Sequence, residues 1–279
     1  MIHLNPTSMI FLVFFGFFIG ILGSVMGVGG GVFIVPLLVL VFNLPMHNAI
    51  AISLVAIAAT SSAVASVNVE KGLANVRLGI YMETTMALGS VIGALILSML
   101  PSALLQFFFS IFLFPVALSM YLKSRKGVKE EAVPAIAGKN LFGGSFFDPA
   151  RNSETSYAVK KMPLAMFFSF FAGGLSGLLG LGGGIVQVPV MNLICGIPMK
   201  AAAATSNFMI GVSAAASAII FLKKGYIIPE LAVIIVMGVL AGSFVGIHAL
   251  YRAKSEKIQV AFSVLIMIVG VRMLLRSFG

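Results

Sequence analysis

Gly27-Val28-Gly29-Gly30-Gly31, with Val35-Pro36 behind it, returns as Gly180-Leu181-Gly182-Gly183-Gly184 with Val188-Pro189. The shift is 153 residues (27 to 180), and it holds without a gap well beyond the glycines. Gly20 meets Gly173, Pro45-Met46 meets Pro198-Met199, and Ala49, Ala51 and Ser53 meet Ala202, Ala204 and Ser206. Lys71-Gly72 then matches Lys224-Gly225, and Gly89 and Gly93 match Gly242 and Gly246. Two copies of one apolar unit, each interrupted by glycine and proline at the same place, point to a secondary transporter whose site lies between the halves.

Composition agrees with that class. Sixty per cent of residues are hydrophobic, 9% are charged, and the mean hydropathy is +1.12, which excludes an ordinary soluble domain. Crossing a hydrocarbon core takes about 20 apolar residues of helix. Eight stretches qualify, near 8–27, 47–68, 78–98, 104–122, 163–181, 199–222, 228–250 and 257–277. Two shorter pieces, 31–43 and 184–195, follow the glycine clusters and read as broken or re-entrant half-helices. The apolar runs are continuous rather than alternating, so spanning strands are not expected. The predicted fold is therefore an all-α polytopic membrane protein, with about eight full spans and two short helices in two homologous halves. The first repeat takes 1–122, a polar linker 123–162, and the second repeat 163–279. The first apolar stretch has no basic n-region and runs straight into the repeat, so a cleaved leader is not expected.

The net charge is +10, and eight of the 18 Lys and Arg residues fall in 123–162. Basic residues concentrated in one loop are the positive-inside signal, which predicts a cytoplasmic linker in a cell (inner) membrane protein rather than a nucleic-acid binder. Phe142, Phe146 and Phe147 beside Gly143-Gly144 suggest that the linker folds back on the membrane face. Two topologies stay open. Re-entrant short segments give four spans per half and parallel repeats, with both termini cytoplasmic. Crossing short segments give five spans per half and inverted repeats, with both termini outside. Gly89 and Gly93, like Gly238, Gly242 and Gly246, put small residues on one helix face for close packing.

Chemistry is sparse. One cysteine, Cys195, allows no intramolecular disulfide and no metal pair, so neither metal nor cofactor is expected. No Gly-Lys-Ser/Thr follows the glycines and no strand precedes them, so they are not a nucleotide loop. In lipid, backbone freed by Gly29, Gly30 and Gly31, and by Gly182, Gly183 and Gly184, must find partners or line a wet cavity. The helix that starts there offers its positive end to an anion; the structural alternative is a break that permits tight packing. Pro36 and Pro189 keep the new helices irregular and are hinge candidates. Ser53, Thr205, Ser206, Asn207 and Gln187 can donate to an oxyanion without the cost of a buried lysine, although serine and threonine also bond their own helix. Glu83 and His248 are the candidates for carrying a coupling proton, against the alternative of interfacial residues reaching water.

At these motifs the chain resembles the sulfite exporter TauE/SafE family of membrane permeases. The resemblance lies in Gly-x-Gly-Gly-Gly with Val-Pro, then the Pro45-Met46 and Pro198-Met199 turns, then Ala204-Thr205-Ser206 and its variant at Ala51-Ile52-Ser53. It covers nearly the whole chain outside 123–162, and the copy from Gly180 to Phe208 is the closer. Ile52 departs from the pattern where threonine would stand, so a ligand role shared equally by both copies is not expected. The resemblance implies export of sulfite or an organosulfonate. The expected mechanism is alternating access, with membrane lipid and coupling protons as further partners and a homodimer left open. The alternatives are a carrier of another small organic anion, a passive anion channel or, with three His, one Cys and eight Asp and Glu, a membrane-embedded enzyme with a thin inventory.

Overall fold

The computed structural model describes residues 6–27, 29–125, 141–148, 153–250 and 256–277. Its first helices are α1 (Pro6–Met26), α2 (Gly31–Leu40), α3 (Met46–Glu70), α4 (Val76–Leu97) and α5 (Ser102–Arg125). A two-stranded antiparallel hairpin follows, β1 (Gly144–Asp148) and β2 (Ser153–Tyr157). Then come α6 (Met162–Leu179), α7 (Gly184–Pro189) with a π-helical continuation Val190–Ile194, α8 (Met199–Lys223), α9 (Pro229–Leu250) and α10 (Glu256–Ser277). Adding 153 to the bounds of α3 and α4 gives 199–223 and 229–250, the bounds of α8 and α9.

Local chemistry explains the matched boundaries. Gly29 and Gly30 have φ of 78° and 81°, and Gly182 and Gly183 have 76° and 70°. That left-handed backbone is nearly free for glycine and strained for other residues. The chain can therefore leave one helix and start another within a few residues. Pro45 and Pro198 precede α3 and α8 in extended backbone, where a missing N–H costs nothing.

Packing follows the glycines. A Cβ on Gly173 or Gly177 of α6 would strike the carbonyls of Met86 or Ser90 of α4, so these helices touch backbone to backbone. Gly242 and Gly20 do the same between α9 and α1, against the carbonyls of Phe17 and Val239. Residue numbers rise together in both pairs, so α4 runs parallel to α6, and α1 to α9. Helix α3 is antiparallel to α8. Asn48, at the start of α3, donates to the Tyr226 carbonyl just past α8 at 2.8 Å. Asn75, just past α3, donates its N–H to Thr205 near the start of α8 at 2.9 Å. The same pairings recur when α1–α5 are exchanged for α6–α10.

Among the described residues six helices are long and apolar enough to cross a membrane: α1, α3, α4, α6, α8 and α9. The other two expected spans fall on α5 and α10, which pack on each other. Among the described residues the apolar part of α5 is shorter, Ser102–Leu118, and α10 carries Glu256, Lys257, Arg272 and Arg276. The outward faces of α1, α4, α6 and α9 expose large apolar side chains such as Phe14, Leu88, Phe167 and Met237, as a lipid-facing surface does. The hairpin in the linker has no counterpart in the sequence reading. It folds back on the helices: Phe146 and Tyr157 are buried, and Phe142 packs edge-on against Tyr81 at 4.9 Å. Phe147 instead points outward. Lys126, Lys129, Lys139 and Arg151, part of the linker's basic set, lie outside the described residues.

Candidate functional site

The two glycine segments meet inside the bundle. Gly31, the first residue of α2, lies so close to the Gly180 carbonyl that no Cβ fits, and Ile57 Cδ1 and Ser53 Oγ would be 2.7 Å and 3.0 Å from it. Ser53 donates to the Gly180 carbonyl at 2.9 Å, and Ser206 donates to the Gly27 carbonyl at 3.3 Å. Subtracting 153 from 206 gives 53 and from 180 gives 27, so one contact is made twice, each time across the halves. Ser53 is the eighth of 25 residues in α3, which sets the start of α2 well inside the bundle. The N–H groups of Gly31 and Val32 have no carbonyl four residues back within their helix, and both residues are buried. The helix dipole adds positive potential at that end.

Beside this crossing lies a cleft lined by Gly20, Gly23 and Ser24 of α1, Gly29, Thr60, Ser61 and Val64 of α3, Asn207 of α8 and Val239 of α9. It is closed down to about 10 Å³, room for roughly one water. Thr60 donates to the Ala56 carbonyl at 2.8 Å and Ser24 to the Ile21 carbonyl at 2.9 Å. Ser61 Oγ is buried without a hydrogen-bond partner. Asn207, 2% exposed, brings an amide from the second half to Gly29 of the first. Neutral donors beside a glycine segment can hold a small oxyanion without burying a countercharge.

A second polar cluster sits among α4, α6, α7 and α8. Gln187 is fully buried; its Nε2 donates to Ser169 Oγ at 3.0 Å and lies 3.8 Å from the sulfurs of Met82 and Met209. Its Oε1 has no partner. Glu83 of α4 is 6% exposed, with the Ser213 backbone beside it, and neither carboxyl oxygen closes a hydrogen bond. Two turns along, Ser90 donates to the Ser213 carbonyl at 2.8 Å and Ser217 to the Ser90 carbonyl at 3.0 Å, clasping α4 to α8.

The remaining candidates are dispersed. Thr205 accepts from the Asn75 backbone near the helix ends, while Asn75 also caps α4 and donates to the Phe142 carbonyl at 2.8 Å. Gly183 packs against Met86, Ala172 and Ser176, Gly30 against Ile19, and Gly184 opens α7 beside Gly182. Pro36 lies within α2 on a groove shared with α1 and α10. Pro189 is exposed where the π-helical turn starts. His248 is in the last turn of α9, and its side chain lies outside the described residues. No group of three His, Cys, Asp or Glu suited to a metal occurs among the described residues. Sequence reasoning missed Ser24, Thr60, Ser61 and Asn75. The hydroxyl run Thr60-Ser61-Ser62 inside an apolar helix was the available signal for two of them.

Known proteins support the same class. The chain is 26% identical over 274 residues to the "Probable membrane transporter protein YunE" of Bacillus subtilis, covering 96% of this chain and 97% of that one. It is 24% identical over 231 residues to the "Probable membrane transporter protein YdhB" of the same organism, covering 82% and 85%. A shorter stretch of 57 residues is 44% identical to the "Sulfite exporter TauE/SafE family protein 6" of Arabidopsis thaliana, covering 20% of this chain and 13% of that one. No solved structure matches significantly. The family model described as sulfite exporter TauE/SafE matches residues 12–273, and the chain belongs to that family of membrane transporters.

Proposed function

We propose that this chain is a secondary carrier that exports a small sulfur-containing oxyanion, sulfite or an organosulfonate, by alternating access. The observation that carries the reading is the reciprocal pair of bonds, Ser53 to Gly180 and Ser206 to Gly27. A carrier of two homologous halves must hinge where they meet, and here they meet through backbone that only glycine permits. The substrate site is the cleft of Gly29, Ser61, Thr60 and Asn207, next to the start of α2. Sulfur enters through the description of the family as sulfite exporters; the neutral donors support an oxyanion more broadly.

The helix directions support an architecture of two inverted halves. With α1 and α3 running the same way, α2 and the glycine segment must return the chain across the bilayer. Each half, 1–122 and 163–279, then crosses five times, and the antiparallel α3 and α8 make the repeats inverted. The termini share one face and the 123–162 linker takes the other. Fourteen of the 18 basic residues belong to segments joining helix ends on the linker face: eight in the linker, with Lys71, Arg77, Lys200, Arg252, Lys254 and Lys257. That imbalance supports a cytoplasmic linker face in a cell (inner) membrane protein.

Glu83, the acid buried in α4 with neither carboxyl oxygen hydrogen-bonded, is the coupling group. It would release its proton when the α4–α8 interface opens to water. The test is efflux of sulfite, and separately of a two-carbon sulfonate, from proteoliposomes with and without a pH gradient. Gradient-dependent efflux of either supports the carrier, and its loss in Asn207→Leu with folding intact supports the site. No efflux of either from folded protein refutes the substrate class. Ion currents far above carrier turnover would make the protein a channel instead.

A further inference from the structure

Away from the glycine crossing, α1, α2 and α10 leave an apolar groove of about 380 Å³ on the lipid-facing side. At about 30 Å³ for a water-sized group, close to a methylene, that is room for roughly a dozen carbons of one acyl chain. Its walls include Phe15, Phe18, Phe33 and Leu37, with Ile266 and Val269 from α10. Polar atoms contribute almost nothing to this surface, so neither water nor a hydrophilic substrate suits it.

The end of the groove is different. Arg276 Nη1 donates to the Val39 carbonyl at 2.7 Å, beside Leu40 and Val41 of the groove wall. A cation there satisfies a carbonyl that the end of α2 leaves open. One bond leaves four of the five guanidinium N–H groups for other partners. Arg272, exposed, stands one turn back along α10, three residues past Val269. Two like charges four residues apart on a helix repel. Among the described residues no ion pair engages either arginine, α1 and α2 contain no acidic residue, and the only acid of α10 is Glu256 at its other end.

We propose that this groove is a binding site for one anionic phospholipid. An acyl chain fills the α1–α2–α10 groove, and the headgroup phosphate bridges Arg272 and Arg276 at the membrane surface where the chain termini lie. Charge complementarity selects the occupant: a zwitterionic lipid could fill the groove equally well but would carry no net charge for the two arginines.

The experiment is native mass spectrometry of the full chain in detergent, titrated with phosphatidylglycerol or with phosphatidylcholine of the same acyl chains. The wild type is expected to bind one phosphatidylglycerol in preference to phosphatidylcholine. Arg272→Gln with Arg276→Gln should weaken phosphatidylglycerol alone by about thirtyfold, at about fivefold per basic residue. Arg272→Lys with Arg276→Lys, which keeps the charge, should retain most of the preference and controls for folding. Val269→Phe, which fills the groove, should weaken both lipids. Equal binding of the two lipids by the wild type overturns the proposal. So does a preference that survives the double glutamine variant, or a dimer whose formation covers the groove and expels lipid.

Discussion

Replacing Gly31 by alanine should weaken the molecule where its halves cross, and the structure sets both the sign and the size of the effect. Gly31 is the first residue of α2 and has no positive φ, so helix propensity alone would make alanine better by about 0.5–1 kcal/mol. The added methyl, however, has no space. It would overlap the Gly180 carbonyl and approach Ile57 Cδ1 to 2.7 Å. Overpacking of this kind costs about 1–3 kcal/mol. Pushing the Gly180 carbonyl away also breaks its bond from Ser53, which leaves a buried acceptor at a further cost of about 1–3 kcal/mol. Set against the propensity gain, the two costs leave a net expected loss of about 1–5 kcal/mol, measured by SDS-induced unfolding in mixed micelles. Gly174→Ala is the matched control. It sits mid-helix in α6, and its nearest neighbour, the Gly89 carbonyl, would be 3.8 Å from the new carbon. A Gly31→Ala protein as stable as wild type, or more stable than Gly174→Ala, would refute the contact between the glycine segments.

Three further outcomes follow from the same geometry. Ser53→Ala should cost about 1 kcal/mol and more than Ser206→Ala, because the first bond is 2.9 Å and the second 3.3 Å; the same unfolding assay ranks them. Glu83→Gln should fold like wild type, since the amide matches the acid in size and shape, while transport loses its dependence on the pH gradient; unchanged dependence in proteoliposomes would remove Glu83 from coupling. Burial pushes the Tyr157 phenol above its ordinary range, partly offset by the hydrogen bond from Asn75. Its neutral form is thus favoured in the docked hairpin, and docking should be intact below pH ~10 and weaken as pH rises beyond it. Hydrogen exchange of residues 144–157 would detect this, and Tyr157→Phe should abolish the alkaline dependence.

The sequence carried much of this design, for a physical reason. Glycine and proline act locally, so Gly29-Gly30 and Pro45 marked helix ends that recur at Gly182-Gly183 and Pro198. Relative direction is a non-local property. It rests on contacts such as Asn48 to Tyr226 and Asn75 to Thr205, between residues 178 and 130 positions apart, which no local pattern records. Ser53 and Ser206 were legible as hydroxyls in apolar helices, but their acceptors are carbonyls on the opposite half. The hairpin was hidden because its order comes from docking, through Tyr157 on Asn75 and through the flanking Phe142 on Asn75 and Tyr81, rather than from alternation in Ser153–Tyr157 itself. Glu83, by contrast, announced itself as an acid inside an apolar stretch.

The two halves share a backbone plan but not a chemistry, and under the proposed function the difference would put the substrate on one side. Shifting the cleft by 153 residues carries Gly20, Gly23, Gly29 and Ser61 onto Gly173, Ser176, Gly182 and Ala214, while Asn207 and Val239 fall on Leu54 and Met86. At that related place Met86 Cε presses within 2.5 Å of where a Cβ of Gly183 would be, so a side chain takes up space that is cleft in the first copy. Leu54 is fully buried and offers no donor. In the proposed cycle the halves would exchange conformations but not these side chains, so the amide of Asn207 would stay with one cleft throughout. Asn207→Leu should therefore abolish transport while leaving the fold intact. Adding Leu54→Asn should not restore it, because Met86 still fills the related space. Restoration by Leu54→Asn alone, measured as efflux from proteoliposomes, would mean that the two clefts are interchangeable and that the asymmetry of the sequence is not what positions the anion.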